Sequence, residues 1–488
     1  METRKKIFIF SFLFFFLVTT VQSKSINHNE SELQEIYDWH QYKDSFGPSF
    51  SGSLSWIKFM EVIEEELRMN QVTGIRKDFF KYSRWHTSDS KSDNKWSLTI
   101  DGQIIPVSSY WAYSGRTTEK GVTGELLLFD KNLSQEELRG KIIVFELEGL
   151  PENIKKFSAI SNYEYASEDV SAGEFLDNTS DYWYQVNYLT RFGKVDEFLK
   201  NSGALGAVVI LDLSPGRAEG LYTFPLLRSG TIGVPGLYTD RTHSEKVRFL
   251  ARNKKEATIR LLAEEEITES YFLYGFLPGK KYKTEDDRFV LLTTHTDGPN
   301  LTQDNGAFGI IKIIEKIREI PINQRERSIL ILLDPEHFTP GRHSIDWFKK
   351  HSELSSKISS VVAVEHLGQM EFIEKNNEYG LSGKEDRTYI YSQNNQRLID
   401  EVITSVKNNN LRRTYVLCPD RGGQGPWAGM GNISQKLNVP GYGISTSMSG
   451  YWSTQPGIES FNASLFLKQV SVMSDLTLFL MNQNSVKL

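Results

Sequence analysis

Histidines and carboxylates follow three apolar segments in the second half of the sequence. Residues 289–294, 328–333 and 361–364 each predict a buried β-strand. The polar residues at the ends of these strands, or in the loop before the next helix, are His295, Asp297, Asp304, Glu336, His337, Glu365 and His366. The carboxyl ends of parallel strands meet at one edge of a sheet. Imidazole and carboxylate groups gathered there suit Zn²⁺ or a similar metal, although ordinary hydrogen-bonded residues at strand ends are the alternative.

The elements around these residues predict an α/β domain. From residue 266 onward, apolar strands alternate with helices that we predict at 306–318, 342–350, 395–409 and 460–482. Such alternation favours a mostly parallel sheet covered by helices on both faces. Residues 52–75 predict a further helix, because apolar residues recur there at helical spacing.

Between these parts, short strands separated by turns predict a small β-rich unit. We therefore predict an N-terminal part of the main domain at 24–117, an inserted β-rich module at 118–265 and the rest of the main domain at 266–488.

The N-terminus predicts export from the cytoplasm. A basic start at 4–6 is followed by an apolar run at 7–21, which is typical of a signal peptide cleaved after Ser23. An uncleaved anchor is the alternative. No comparable apolar run follows, so we predict a chain without a membrane span that is secreted or resides in the lysosome or another endomembrane lumen. Six N-x-S/T sequons agree with this route: Asn29, Asn132, Asn178, Asn300, Asn432 and Asn462.

Composition excludes several classes of function. The 488 residues carry a net charge of −6 and no long basic block, which argues against a nucleic-acid partner. Cys418 is the single cysteine, so disulfide frameworks, cysteine zinc fingers and iron–sulfur clusters are excluded. The oligomeric state is left open.

The segment from Phe289 to Met370 resembles metallopeptidase family 28, the secreted zinc aminopeptidases and glutamate carboxypeptidases. The order of His295-x-Asp297, Asp304-Asn-Gly306, Asp334-Pro-Glu336-His337 and Glu365-His-Leu-Gly368 carries the resemblance. It implies a three-layer zinc-exopeptidase-like domain. The inserted module resembles a protease-associated domain, through Gly140-Lys-Ile-Ile-Val and Gly203-Ala-Leu-Gly-Ala-Val-Val-Ile.

For the site, the resemblance implies a zinc held by His295, Asp304 and Glu365, with Glu336 as the general base. His337 stands where the family has a second acidic ligand. Trp452 stands near the place of its last ligand histidine. We therefore expect one zinc ion rather than two.

Four further assignments complete the predicted site. His337 becomes a base or an orienting group, and His366 becomes a substitute ligand. Asp297 fixes the tautomer of His295. Residues that could form a substrate pocket are Arg421, Trp427, Tyr451 and Trp452.

Three functions remain open at this point. The first is hydrolysis of an amide bond in a peptide or small amide, as in an aminopeptidase. The second is a catalytically inactive family member that acts as a binding or scaffold protein. The third is a different chemistry on a small molecule that uses the histidines and glutamates of the altered site.

Overall fold

A computed structural model describes residues 29–88, 93–147, 162–170, 198–222, 231–418, 427, 429–446 and 453–482. The predicted signal peptide, the sequon at Asn178 and three predicted pocket residues (Arg421, Tyr451 and Trp452) lie outside the described residues.

Nineteen strands and eleven helices occur in the described ranges. The strands are β1 (Thr73–His86), β2 (Trp96–Ile100), β3 (Gln103–Ile105), β4 (Ser109–Tyr110), β5 (Val122–Leu128), β6 (Lys141–Leu147), β7 (Asn162–Ala166), β8 (Gly206–Leu211), β9 (Gly236–Thr239), β10 (Glu256–Leu261), β11 (Glu264–Leu277), β12 (Phe289–His295), β13 (Ser328–Asp334), β14 (Ile358–Val364), β15 (Met370–Lys375), β16 (Glu378–Glu385), β17 (Thr388–Ser392), β18 (Thr414–Cys418) and β19 (Gly441–Thr446). The helices are α1 (Glu30–Asp44), α2 (Leu54–Met69), α3 (Gln135–Leu138), α4 (Pro215–Ala218), α5 (Ser244–Arg252), α6 (Gly306–Arg318), α7 (His343–Lys350), α8 (Ser352–Ser355), α9 (Gln396–Asn408), α10 (Asn432–Leu437) and α11 (Ala463–Asn482).

The larger sheet has nine strands in the order β1-β11-β13-β12-β14-β19-β17-β18-β7. Its four middle strands, from β13 to β19, are parallel, as the alternating pattern predicts. Strands on both flanks run antiparallel to this centre. His295 on β12 pairs in register with Asp334 on β13, so the predicted polar strand ends meet at one edge.

Helices cover both faces of this sheet, and the alternation of side chains along β12 shows how. Val290 and Leu292 pack into a core with α1, α2, α6, α9 and α11. Leu291 points to the other face and packs with Trp347 of α7 and Ile433 of α10. Because successive side chains of a strand point to opposite faces, a fully apolar strand requires cover on both sides. The domain therefore has three layers.

The smaller sheet has eight strands in the order β3-β2-β10-β5-β6-β8-β9-β4. Its strands β2 to β4 precede residue 118. The boundary predicted at residue 118 therefore separates these three strands from the other strands of their sheet. Leu98 of β2 pairs with Ile259 of β10, and both side chains are buried in the core of this sheet. Conversely, β7 lies within the predicted module but pairs with β18 of the larger sheet.

Helix α11 is long and apolar enough to cross a membrane by length and composition. However, 72% of its most apolar window is buried. Leu467 and Val470 of this helix lie in the same core as Val290 and Leu292 of β12. These contacts make α11 a core helix of the domain.

Helix α1 brings a buried histidine into this core. The ring of His40 stacks on Phe461 with 3.7 Å between centroids. Its Nδ1–H donates to the carbonyl of Ile36 at 2.7 Å, and its Nε2 accepts from the amide of Asn305 at 3.0 Å. Burial, together with the charge of Lys43, lowers the pKa of His40 to about 3. The imidazole is therefore neutral in the folded protein.

We predict that His40 contributes to acid destabilisation. Its pKa is lower in the folded than in the unfolded chain, so the unfolded chain binds the extra proton between pH 6.5 and about 3. Stability is therefore lost as the pH falls below about 6.5. His40→Gln should flatten the pH dependence of the unfolding free energy by up to about 1.4 kcal/mol per pH unit, measured by urea denaturation at pH 7, 6 and 5. An unchanged slope would contradict the assignment.

Candidate metal centre

Three candidate ligands meet at the carboxyl edge of the larger sheet: His295, Glu365 and His366. Their ligand atoms all lie within 4.8 Å of one another, and all three residues are buried. The two Nε2 atoms are 3.1 Å apart. Glu365 Oε2 lies 3.8 Å from His295 Nε2 and 3.9 Å from His366 Nε2. In the described part of the chain, this is the group with metal-ligand spacing.

The triangle formed by these atoms fits a zinc ion. The three separations place a point about 2.1 Å from every ligand atom, and zinc bonds to imidazole and carboxylate are about 2.0–2.2 Å. Glu365 Oε2 is also buried and has no hydrogen-bond partner. A buried oxygen without a partner carries a desolvation penalty that a bound cation would remove.

Both imidazoles of the candidate site are neutral, and a neutral imidazole can bind a cation. Burial lowers the pKa of His295 to about 4 and that of His366 well below its usual value. The Nδ1–H of His295 donates to the carbonyl of Asp297 at 3.0 Å, and Nδ1 of His366 lies 2.9 Å from Ser445 Oγ. With Nδ1 engaged in this way, the lone pair of Nε2 faces the centre of the site.

Local backbone features place Glu365 and His366. His366 has a left-handed conformation with φ 56, which is uncommon for a residue other than glycine and is found at functional sites. Gly429 approaches the carboxylate of Glu365 so closely that any Cβ would clash with it. The backbone N–H of Met430 donates to Glu365 Oε1, which leaves Oε2 facing the histidines. Burial raises the pKa of Glu365 to about 8.

Asp304, a predicted zinc ligand, is bound by a lysine instead. Lys43 of α1 places its Nζ 2.6 Å from Asp304 Oδ1, and both side chains are almost completely buried. The ammonium also lies over the ring of Phe59, 5.1 Å from its centroid. Burial raises the pKa of Asp304 to about 6, although Lys43 opposes this. Asp304 is therefore paired with Lys43 and does not belong to the group with metal-ligand spacing, and its assignment as a zinc ligand stays a prediction.

Glu336, the predicted general base, is hydrogen-bonded to the start of α7 and is not one of the candidate ligands. Its two oxygens accept from the backbone N–H groups of His343 and Ser344 at 2.8 and 2.5 Å, and from the hydroxyl of Ser344 at 2.7 Å. These groups form the beginning of α7. A carboxylate at a helix N-terminus is stabilised by the unpaired N–H groups and by the helix dipole. In this structure the carboxylate of Glu336 therefore caps α7, and its assignment as the general base stays a prediction.

His337 does lie beside the centre. Its ring stacks on that of His295 with 4.2 Å between centroids, and the residue is partly exposed. Burial and the neighbouring His295 lower the pKa of His337 well below its usual value. It is therefore a neutral imidazole next to a candidate ligand.

Asp297 holds both histidines through different atoms. Its backbone carbonyl fixes the tautomer of His295. Its carboxylate accepts from the backbone N–H groups of His337 and Phe338 at 2.9 and 2.7 Å. The predicted orienting role is therefore performed by the main chain, and the side chain holds the loop that carries His337.

Trp427 belongs to the core rather than to a pocket wall. It is 1% exposed, and its ring stacks with that of Tyr391 at 6.3 Å. The prediction that it lines a substrate pocket is wrong, because the described residues bury it in a cluster of aromatic residues between strands.

The described sequons differ in accessibility. Asn29 and Asn132 are exposed, and Asn432 and Asn462 are partly buried. Asn300 is buried, and its amide donates to the carbonyl of Ser453 at 2.9 Å. A glycan cannot be accommodated on Asn300 in the folded protein.

The sequence analysis missed the contribution of α1. Ile36, His40 and Lys43 follow one another at helical spacing, which would place them on one face. This spacing, which places a histidine and a lysine on the same helix face as an isoleucine, is the signal in the sequence that indicates a buried polar face. Their partners, Asn305 and Asp304, lie more than 260 positions away in the sequence, and no local pattern identifies them.

Comparison with known proteins places this fold among peptidases of family 28. The peptidase M28 precursor from Shewanella amazonensis has a TM-score of 0.65 and 14% identity, over 93% of this chain and 96% of that one. BSAP, a zinc aminopeptidase from Bacillus subtilis, has a TM-score of 0.60 and 12% identity over 91% and 94%. The aminopeptidase from Aneurinibacillus sp. strain AM-1 has a TM-score of 0.57 and 11% identity over 92% and 93%. No protein-family sequence model and no curated protein sequence matches the chain.

We predict that the Lys43–Asp304 pair is essential for stability. Lys43→Met keeps the volume but leaves a buried carboxylate without its cation, which should cost about 3 kcal/mol or more at pH 8. Adding Asp304→Asn to this variant removes the unpaired charge and should restore part of the loss. Urea denaturation of both single variants and the double variant would measure the coupling, and additive effects would show that the two groups do not interact.

Proposed function

We propose that this protein is a metal-dependent hydrolase of amide bonds in peptides or small amides, with one Zn²⁺ held by His295, Glu365 and His366. The observation that carries the proposal is the three-atom ligand set, whose spacing fits zinc. Its fold supports the same reaction class, since structurally similar proteins are described as zinc aminopeptidases.

Charge balance supports one ion rather than two. Glu365 is the single carboxylate of the ligand set, and the two histidines are neutral. A divalent ion there would retain a net positive charge, which favours an oxyanion in a transition state. A second ion would need the charge of Asp304, which Lys43 already neutralises.

Zinc, when bound, would supply a Lewis acid that polarises a carbonyl or lowers the pKa of a water molecule. The chain itself must supply the base, and we assign that role to His337. It is neutral, partly exposed and adjacent to His295. The carboxylate of Asp297 fixes the backbone on which His337 lies.

The metal content of the purified protein tests this proposal directly. We expect about one equivalent of zinc by inductively coupled plasma spectrometry, and less than a tenth of that in His366→Ala. The double variant Lys43→Met with Asp304→Asn, which leaves no buried charge of this pair without a partner, should keep the zinc, because Asp304 is not a ligand in this proposal. Two equivalents in the wild type, or loss of zinc in the folded double variant, would contradict the ligand assignment.

A binding or scaffold protein without catalysis is the second candidate. The Lys43–Asp304 pair favours it, since an ammonium at the expected bridging ligand is a change that would disable a two-metal mechanism. Absence of bound zinc, together with no turnover of aminoacyl amides, would decide for this candidate.

We also propose that the chain enters the secretory route and is cleaved after Ser23. The exposed sequons at Asn29 and Asn132 support this proposal. The β-rich sheet is proposed to be a protease-associated domain, on the motifs of its strands β6 and β8.

A pair of neighbouring variants tests the assignment of the base. His337→Gln should keep zinc and fold while lowering turnover of aminoacyl amides by two or more decades, as expected for loss of a general base. Glu336→Gln serves as the matched control, because it weakens the start of α7. It should lower stability by about 1–2 kcal/mol with turnover nearly unchanged. The reverse pattern would return the role of base to Glu336.

A further inference from the structure

A cavity of about 210 Å³ lies beside the loop that carries His337. Residues 46–55, the end of β1, Tyr110, Tyr222 and the loop at Phe338–Thr339 line it. The candidate metal ligands do not line it, so it is a separate site. The volume is below the 300–1,000 Å³ of pockets for drug-sized ligands, so it suits a fragment of about one ring with a short polar group.

The walls of the cavity are aromatic and fixed by mutual packing. Phe50 stacks on Tyr222 with 4.1 Å between ring centroids, and Phe338 meets both rings edge-on. Trp85 packs against Tyr110 at 5.7 Å, and its indole N–H donates to the carbonyl of Gly115. Aromatic walls of this kind favour a planar apolar ligand.

The charged group that lines the cavity is basic, and Glu266 beside it balances part of its charge. Among its described lining residues, Arg84 and His86 are the ionisable basic groups, and none is an aspartate or glutamate. Burial and the nearby Arg84 lower the pKa of His86, so the guanidinium is the charge that remains. Arg84 Nη1 contacts Glu266 at 2.9 Å, on a carboxylate that is half exposed.

Arg84 also has a hydrogen-bond donor that lacks an acceptor. Its Nε is buried and has no hydrogen-bond partner. A buried donor without an acceptor is costly. The Arg84 side chain as a whole is 16% exposed, and an accessible guanidinium N–H donates to a carboxylate in a charge-assisted hydrogen bond. Tyr113, which also lines the cavity, holds a left-handed backbone with φ 59. For an aromatic residue this conformation is strained, and such strain concentrates at functional sites.

We propose that this cavity binds an aromatic carboxylate, with its ring against the aromatic wall formed by Phe50, Tyr110 and Phe338 and its carboxylate on Arg84. The same chemistry occurs in a free aromatic acid and at the C-terminal aromatic residue of a peptide. This site does not depend on the metal centre, and it goes beyond the proposed hydrolase function.

Calorimetry with the full mature chain tests the proposal with three probes: 3-phenylpropionate, its primary amide and the tripeptide Ala-Ala-Phe. We expect the acid to bind about tenfold or more tightly than the amide, because the amide lacks the charge that Arg84 recognises. Tighter binding of the tripeptide than of the acid would identify a peptide C-terminus as the ligand, and binding of the acid alone would identify a free acid. Equal binding of acid and amide, or no binding of any probe, would overturn the proposal.

Variants connect the binding to the cavity. Arg84→Gln should abolish the preference for the acid, and Arg76→Gln, an exposed position on the same strand, should leave it unchanged. Should Arg84→Gln fold poorly, Phe50→Ala should weaken the acid and the amide alike by about tenfold or more. Removal of metal with a chelator should not change any affinity. Loss of binding on metal removal, or an Arg84→Gln variant with the wild-type preference, would refute the assignment even if zinc-dependent turnover is found.

Discussion

The buried ion pair between Lys43 and Asp304 is the constraint on which the rest of the site depends. Its two atoms are 2.6 Å apart in an environment from which water is excluded. A charge in such an environment is tolerated only with its partner, so α1 must dock where Lys43 reaches the loop before α6. His40 on the same helix then bonds to Asn305, whose side chain accepts from Leu367 N–H at 2.9 Å. One helix thereby fixes both loops that surround the candidate ligands.

The same pair defines the electrostatics of the centre. Because Lys43 and Asp304 cancel each other, Glu365 is the single charge that an ion could meet directly, and burial raises its pKa to about 8. Near neutral pH without an ion, that carboxyl group retains its proton, whereas His295 and His366 have none to lose. Cation binding is therefore an exchange against one proton on one carboxylate. This charge balance supports the proposal of one divalent ion.

The sequence predicts local features of this protein well and distant pairings poorly. Strand β12 begins with four apolar residues, and the polar residues that follow, up to His295, indicate its end from the sequence alone. The orientation of the Glu336 side chain does not follow from the sequence, because it depends on where α7 begins after strand β13. The pairing of Leu98 in β2 with Ile259 in β10 joins residues far apart in the chain. The domain boundary that the strand pattern predicts at residue 118 therefore separates strands of one sheet. Lys43 was missed for the same reason, since its role exists only through Asp304.

The metal centre and the aromatic cavity share one structural element, the loop from His337 to Thr339. The carboxylate of Asp297 accepts two successive backbone N–H groups of this loop, which fixes the direction of its side chains. His337 then stacks on His295, while Phe338 lines the cavity and packs against Tyr222. An aromatic group held in the cavity would contact the residue next to the proposed base. Asp297 is buried and bonded to His295 through its carbonyl and to this loop through its carboxylate, so it holds one wall of the cavity and the imidazole beside the candidate ligands in a fixed arrangement.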